Sequence, residues 1–183
     1  MAAPYMTRVI VMDIEHDPLD DLGDGYDLLL FSHVLEHLRD PVKVVTNFLT
    51  LLVSGGHILV AVPNTLEWRT RAAFMRGRFH YGDHGMLDRT HLRFFTYDTA
   101  ASELISPIPQ LKLVRREGRG SAPLGPLRRH GLPQPARDWI DAFAVRSYPN
   151  VFAREVVLLA LKERPSDACD IAFENPSKEI GRP

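Results

Sequence analysis

The sequence predicts an α/β domain with a parallel sheet at its centre. Three observations carry this: two continuous apolar runs of strand length, Tyr26–Ser32 and His57–Val62, an amphipathic helix between them, and a β-branched run, Arg8–Met12, ahead of both. Runs without polar alternation suit strands buried on both faces, the usual state of parallel strands covered by crossover helices.

Each element follows in order. Arg8-Val-Ile-Val-Met12 reads as a buried strand, closed by Asp13 and an acidic loop that holds Pro18 and Gly23. Tyr26–Ser32 is the second strand, followed by a short turn or helix from His33 to Leu38. Asp40-Pro41 opens a helix, with Asp as the N-cap and Pro at the first helical position. Val42, Val45, Phe48, Leu49 and Leu52 fall on one face of that helix, and Gly55-Gly56 is expected to stop it. His57–Val62 is then a third buried strand, ended by Pro63-Asn64. Residues 65–95, rich in Arg, His and aromatics, read as irregular. Thr96 caps a helix over about 97–105 before Pro107 and Pro109 force an exit. Residues 110–117 read as a strand, 118–135 as a Gly- and Pro-rich loop, and 136–147 as an amphipathic helix. A final strand, 152–162, is placed to return antiparallel beside the third. The domain is expected to span 7–163, with 164–183 a disordered tail.

Composition bounds the function. A chain of 183 residues with 45% apolar and 25% charged content closes one ordinary core. Lys plus Arg (22) balances Asp plus Glu (23), which argues against nucleic acid as a partner. The charge is uneven, however. Residues 13–27 carry seven acids without a Lys or Arg, whereas 69–78 carry Arg69, Arg71, Arg76 and Arg78 without an acid. Such blocks are either solvated loops or an anion-attracting rim beside a cleft. The single cysteine, Cys169, excludes an intramolecular disulfide and fits a reducing compartment. The apolar runs fall far short of the roughly 20 residues that span a bilayer, so a cytoplasmic location without a membrane partner is expected.

Ligands of open α/β sheets sit beyond the carboxyl ends of the strands. Three such ends are visible: Asp13-Ile14-Glu15, Ser32-His33 and Pro63-Asn64. In this context Val9–Glu15, Tyr26–Pro41 with its Ser-His-Val-Leu-Glu-His-Leu core, Ser54–Asn64 and Gly85–Thr96 resemble class I S-adenosylmethionine-dependent methyltransferases of the type 11/23 kind. The likeness runs from about Arg8 to Glu163, and the Gly85–Thr96 segment resembles a branch linked to cell-surface glycan or secondary-metabolite synthesis.

The resemblance implies a Rossmann-like sheet and methyl transfer to O or N of a small-molecule or glycan-precursor acceptor. It places Asp13 and Ile14 at the adenine of S-adenosylmethionine, and Ser32 and His33 near its methionine portion. The other reading of Asp13 is an acid capping its own turn, and of His33 a helix-capping imidazole. The family begins with a strand, a Gly-x-Gly-x-Gly loop, a helix and a second strand ending in an acid that grips the ribose. Here Arg8–Met12 resembles the third strand, so the sheet is expected to be N-terminally incomplete, with the first two βα units missing. Gly23-Asp-Gly25 and Gly118-Arg-Gly120 lack the strand–glycine–helix context of such a loop. Three expectations follow: weakened or lost cofactor binding, doubtful activity in a truncated chain, and self-association through an exposed sheet edge. The alternative is a non-catalytic remnant acting as a partner or regulatory subunit.

His33-Val-Leu-Glu36-His37 also spells H-x-x-E-H, the inverted zinc-peptidase signature. Asp40-Pro41 leaves it barely one helical turn, so the peptidase reading is set aside. Some relatives hold an acid at the place of His33 and a divalent metal near the Glu–His pair; the expectation for this chain is no metal. His80, Asp83, His84, Asp88 and His91 form a third cluster. By the resemblance this loop closes over the acceptor, with His91 or His84 as general base; otherwise Asp88, Arg89 and His91 pin the loop. Trp68, Phe74 and Phe79 either stack on a flat acceptor or form a satellite core.

Overall fold

The computed structural model describes residues 7–83, 85–125, 127 and 131–164. Among them a four-stranded sheet is formed by β1 (Tyr26–Ser32), β2 (Leu52–Pro63), β3 (Leu111–Gly120) and β4 (Ala153–Lys162), in the order β1-β2-β4-β3. β1 and β2 are parallel, from Leu28 opposite His57 to Ser32 opposite Ala61. β4 runs antiparallel between β2 and β3, which is the antiparallel return that the sequence suggested.

The helices are α1 (Pro41–Phe48), α2 (Trp68–Met75), α3 (Thr99–Leu104), α4 (Gln134–Ser147) and the single turn α5 (Pro149–Phe152). Asp40 caps α1, its Oδ1 accepting the Lys43 amide at 3.0 Å, an interaction worth about 1 kcal/mol. The core lies on one side of the sheet. Ile58, Val60 and Val62 of β2 and Val156, Leu158 and Ala160 of β4 are buried at every second position. They pack with Val44 and Val45 of α1 and with Ala100, Ala101 and Leu104 of α3.

Four expectations are corrected. Arg8–Met12 is not a sheet strand: it runs outside the sheet, with Val11 97% and Val9 63% exposed, and no strand pairs with it among the described residues. The glycines do not stop α1. The helix ends at Phe48, a 3-10 turn (Leu49–Leu51) buries Leu49 and Leu51, and β2 already begins at Leu52. Gly55 and Gly56 lie inside β2, where four residues, 53–56, face the single β1 residue Asp27 between the Tyr26–Leu52 and Leu28–His57 pairs. Gly55 supplies the left-handed φ of +83° that this bulge requires. Residues 65–95 are not wholly irregular, since Trp68–Met75 is helical; its Arg, Ala and Met are good helix formers that hide for want of an apolar stripe. Finally, β1 is not covered on both faces: Phe31 packs against Phe48, while Leu28 and Leu30 on the other face are 52% and 60% exposed.

The pair Gly118 and Gly120 has a packing role. A Cβ on Gly118 would stand 2.6 Å from Ala153 Cβ, and one on Gly120 would stand 2.0 Å from Phe152 O. The end of β3 therefore lies directly against the α5–β4 junction, which no residue with a side chain permits. Gly120→Ala is expected to destabilise the fold by about 1–3 kcal/mol through forced displacement of backbone, read by urea denaturation.

Candidate functional site

The carboxyl ends of β1 and β2 open on a cleft of about 420 Å³ lined by His33, Glu36, His37, Pro63, Met86, Asp88, His91 and the β4 residues Arg154 and Glu155. β4 reaches it because it is antiparallel, so its amino end meets the carboxyl ends of the parallel pair. Asn64, fully buried at the end of β2, fastens this junction. Its Nδ2 donates to Ala153 O at 2.7 Å and Asn150 O at 3.1 Å, and its Oδ1 accepts the Leu66 amide at 3.2 Å.

Ser32 and His33 stand side by side at the end of β1. His33 has φ +53°, a left-handed conformation that costs a non-glycine residue roughly 1–2 kcal/mol. Its amide donates to Ala61 O at 2.9 Å, and its ring turns inward: Nε2 lies 2.9 Å from Glu155 Oε1 and Nδ1 3.3 Å from Glu36 Oε1. His33 thus bridges two acids rather than capping a helix.

Glu36 is the most constrained group of the site. It lies in the 3-10 turn Leu35–His37, its side chain is 1% exposed, and neither carboxylate oxygen has a hydrogen bond. His33 Nδ1 and His37 Nε2 approach Oε1 at 3.3 and 4.0 Å, within ion-pair range when those rings are protonated. Its main chain is fully used, since Glu36 O accepts the amides of Leu92 at 2.8 Å and Arg93 at 3.0 Å. These two bonds hold the segment that carries His91 over the turn. The His37 and His91 rings meet edge to face with centroids 4.7 Å apart.

The histidine tautomers follow from their partners. Asp88 Oδ1 accepts the Thr90 amide at 2.8 Å and the Thr90 hydroxyl at 2.7 Å. Having given its proton to Asp88, the Thr90 hydroxyl can only accept from His37 Nδ1, 2.9 Å away, and Thr90 O can only accept as well. His37 therefore carries its proton on Nδ1. His91 Nδ1 donates to Met86 O at 3.1 Å, so its proton is on Nδ1 too. In the neutral form of each ring Nε2 keeps a lone pair. The bonds from the Thr90 amide and hydroxyl hold the Asp88 carboxyl below the usual carboxylate range.

The predicted residues are distributed as follows. His33 and His91 line one cleft, and Ser32 adjoins it; His84 lies outside the described residues. Asp13 caps its own turn: Oδ1 accepts the Glu15 amide and Oδ2 meets His16 Nδ1, both at 2.9 Å, which lowers its pKa. Ile14 packs on the core, and Glu15 Oε1 ties this turn to the start of α1 by accepting the amides of Arg39 and Asp40. Asp88 pins the loop through Thr90, whereas Arg89 pairs with the exposed Asp83 at 3.6 Å. Trp68 is committed structurally, donating Nε1–H to Ser121 O, and Phe74 stacks on Phe79. Glu155, Arg154 and Thr90 were missed. Thr90 could have been found from its Asp-x-Thr turn spacing; the two β4 residues carry no local signal.

A mixed sheet with its cleft at the parallel carboxyl ends places the chain among Rossmann-like α/β proteins. Residues 5–102, more than half of the chain, match the family Methyltransf_23, described as a methyltransferase domain. The chain belongs to the class I S-adenosylmethionine-dependent methyltransferase family. Its fold is similar to that of a SAM-dependent methyltransferase from Archaeoglobus fulgidus, with a TM-score of 0.53 at 17% identity over 87% of this chain and 69% of that one. A SAM-dependent methyltransferase from Thermotoga maritima matches at 0.48 and 13% identity, over 82% of this chain and 61% of that one. A methyltransferase of Haloferax volcanii, solved with its Trm112 activator, matches at 0.48 and 11%, over 85% of this chain and 61% of that one. The chain thus spans less than two thirds of the length of the latter two. No curated protein matches it. Among the described residues no helix is long and apolar enough to cross a membrane.

Removing the Asp88 carboxylate should free the loop that it pins. In Asp88→Ala, hydrogen exchange at the Leu92 and Arg93 amides is expected to rise about tenfold, with β2 unchanged; unaltered exchange would show that the loop is held elsewhere.

Proposed function

We propose that the chain transfers a methyl group from S-adenosylmethionine to an oxygen or nitrogen of a small-molecule or glycan-precursor acceptor bound in the cleft beside His91. The observation that carries this reading is the Nε2 lone pair of His91, kept available by the Nδ1–H bond to Met86 O in a cleft at the strand ends of a methyltransferase domain.

Ser32 and His33 would hold the methionine end of the cofactor, and Asp13 and Ile14 its adenine. The fit is better at the first place than at the second. Ser32 is exposed at the tip of β1, whereas both Asp13 oxygens already serve their own turn and retain only their remaining lone pairs. With no glycine-rich loop at the Gly23 or Gly118 pairs, this supports weakened binding. The cofactor supplies a methyl group on a cationic sulfur, open to in-line attack by a nucleophile. His91 takes the acceptor's proton on Nε2; the Leu92 and Arg93 bonds to Glu36 O hold that ring in place. His84 remains the second candidate for the base.

Binding is tested by titration calorimetry with S-adenosylmethionine. A Kd above roughly 100 μM, about 5.5 kcal/mol, is expected, and micromolar binding would remove the weakened-cofactor part. Turnover at saturating cofactor should fall about 10²–10⁴-fold in His91→Ala with cofactor affinity unchanged. A wild-type rate in that variant would transfer the role elsewhere.

The open face of β1 favours a second reading, in which the chain associates with a second copy as a non-catalytic partner or regulatory subunit. Leu28, Leu30 and Tyr26 are exposed on the strand whose outer edge has no sheet neighbour among the described residues. Sedimentation velocity should show association that Leu30→Lys abolishes; a monomer at all concentrations would end this reading.

A further inference from the structure

We propose that Arg69, Thr70 and Arg154 bind a phosphate group carried by the methyl acceptor, so that the acceptor is a phosphate ester. The site is a second cavity, of about 500 Å³, that shares Met86 and Arg154 with the cleft described above. It continues that cleft toward α2, with Glu67, Arg69, Thr70 and His80 in its wall.

The first observation is how Arg154 reaches the cavity. In the β3–β4 ladder Arg119 pairs with Glu155 and Gly120 with Ala153, so Arg154 has no partner on β3 and is the extra residue of a bulge. Gly120 makes the bulge possible: a Cβ there would stand 2.7 Å from the Arg154 amide nitrogen as well as 2.0 Å from Phe152 O. On the β2 side Arg154 O accepts the Asn64 amide at 2.9 Å, which fixes the bulged peptide. A bulge re-aims the side chain that it carries, and this one leaves Arg154 lining both cavities at the carboxyl ends of β1 and β2.

The second observation is charge. The Arg154 guanidinium forms no hydrogen bond or ion pair among the described residues, although Glu36, Glu67, Asp88 and Glu155 line the same two cavities. Each of those acids is engaged elsewhere. Glu67 meets Arg69 at 3.3 Å, Glu155 meets His33 at 2.9 Å, Asp88 accepts from Thr90, and Glu36 faces His33 and His37. Arg154 is thus an uncommitted positive charge. The third observation is Thr70, only 7% exposed, whose hydroxyl has no hydrogen bond among the described residues. A buried hydroxyl without a partner is costly, and a bound oxyanion accepts its proton. Beside it on α2, Arg69 is held in place by Glu67, by Ser121 Oγ at 3.4 Å and over the Trp68 ring at 4.6 Å.

These donors select phosphate. Two guanidinium groups and a hydroxyl offer only protons, and guanidinium meets phosphate oxygens through paired N–H bonds. A phosphate group has oxygens enough for all three donors at once, whereas a carboxylate has two. The cofactor's own carboxylate is the other oxyanion at hand, but neither Ser32 nor His33, where the functional reading puts its methionine end, lines this cavity. The assignment rests on that reading in giving the loop side of the cleft to the acceptor, and deepens it by naming the acceptor's anionic group.

The test is a chemical-shift titration of the isotopically labelled full chain with inorganic phosphate and, in separate arms, acetate and S-adenosylmethionine. Phosphate is expected to shift the Thr70 and Gly82 amides saturably, in the millimolar range. Arg154→Gln should weaken that binding about 10–100-fold through loss of charge-assisted hydrogen bonds, and Thr70→Val about fivefold. Arg76→Gln, just past the end of α2 and outside the cavity, should leave it unchanged. If Arg154→Gln fails to fold, Thr70→Val decides. No saturable shift at these amides, unaltered affinity in Arg154→Gln, or acetate bound as tightly as phosphate overturns the site. Loss of S-adenosylmethionine binding with phosphate retained in Arg154→Gln gives the arginine to the cofactor and overturns it as well. The two readings fail separately. Phosphate bound here by a chain without methyl transfer supports the site alone, whereas methyl transfer to an uncharged acceptor at a rate unaltered in Arg154→Gln overturns the phosphate assignment and leaves the methyltransferase reading standing.

Discussion

The arrangement depends on the buried Glu36, which ties the strand-end turn to the loop above it. Its carbonyl oxygen holds the Leu92 and Arg93 amides, and its carboxylate is sealed beneath His33, His37 and His91. A buried main-chain acceptor that binds two amides fixes the loop in one register, and so determines which loop side chain enters the cleft.

The rest of the sheet supplies the rigidity that this turn needs. β2 and β4 form the centre, their alternate residues buried to zero exposure, and β4 sends Arg154 and Glu155 back to the parallel strand ends. Two close approaches make that geometry possible: Gly118 and Gly120 against the α5–β4 junction, and Asn64 bonded across to Asn150 and Ala153. β1 belongs to this framework on one face and one edge only. Its other face carries exposed leucines, and the segment before it adds more exposed apolar surface at Val9 and Val11.

Much of the fold was legible in residues that act locally. The Asp40-Pro41 start of α1, the apolar runs of β1 and β2, and the antiparallel final strand all follow from short-range periodicity and capping chemistry. The misreadings also have local causes. Arg8–Met12 has the β-branched composition of a strand, but a strand exists only through a partner. Gly55-Gly56 looks like a helix stop, yet the register of β1 against β2 uses Gly55 in a bulge. At the site, His33 and His91 stood out by residue type. Asp13 stood out too, and among its two readings the turn cap accounts for both of its oxygens.

By itself the sequence determined the order of β1, α1, β2, β3 and β4, the likeness to the family and the identity of the titratable groups, because these rest on residue type and short-range spacing. Only the tertiary structure decided which of those groups meet. His37 and His91 come together 54 residues apart through two hydrogen bonds to one carbonyl, and Glu155 reaches His33 across 122 residues because β4 is antiparallel. Tautomers and burial are properties of those long-range contacts. No local pattern encodes that Thr90 must accept from His37, or that Glu36 is sealed without a hydrogen bond.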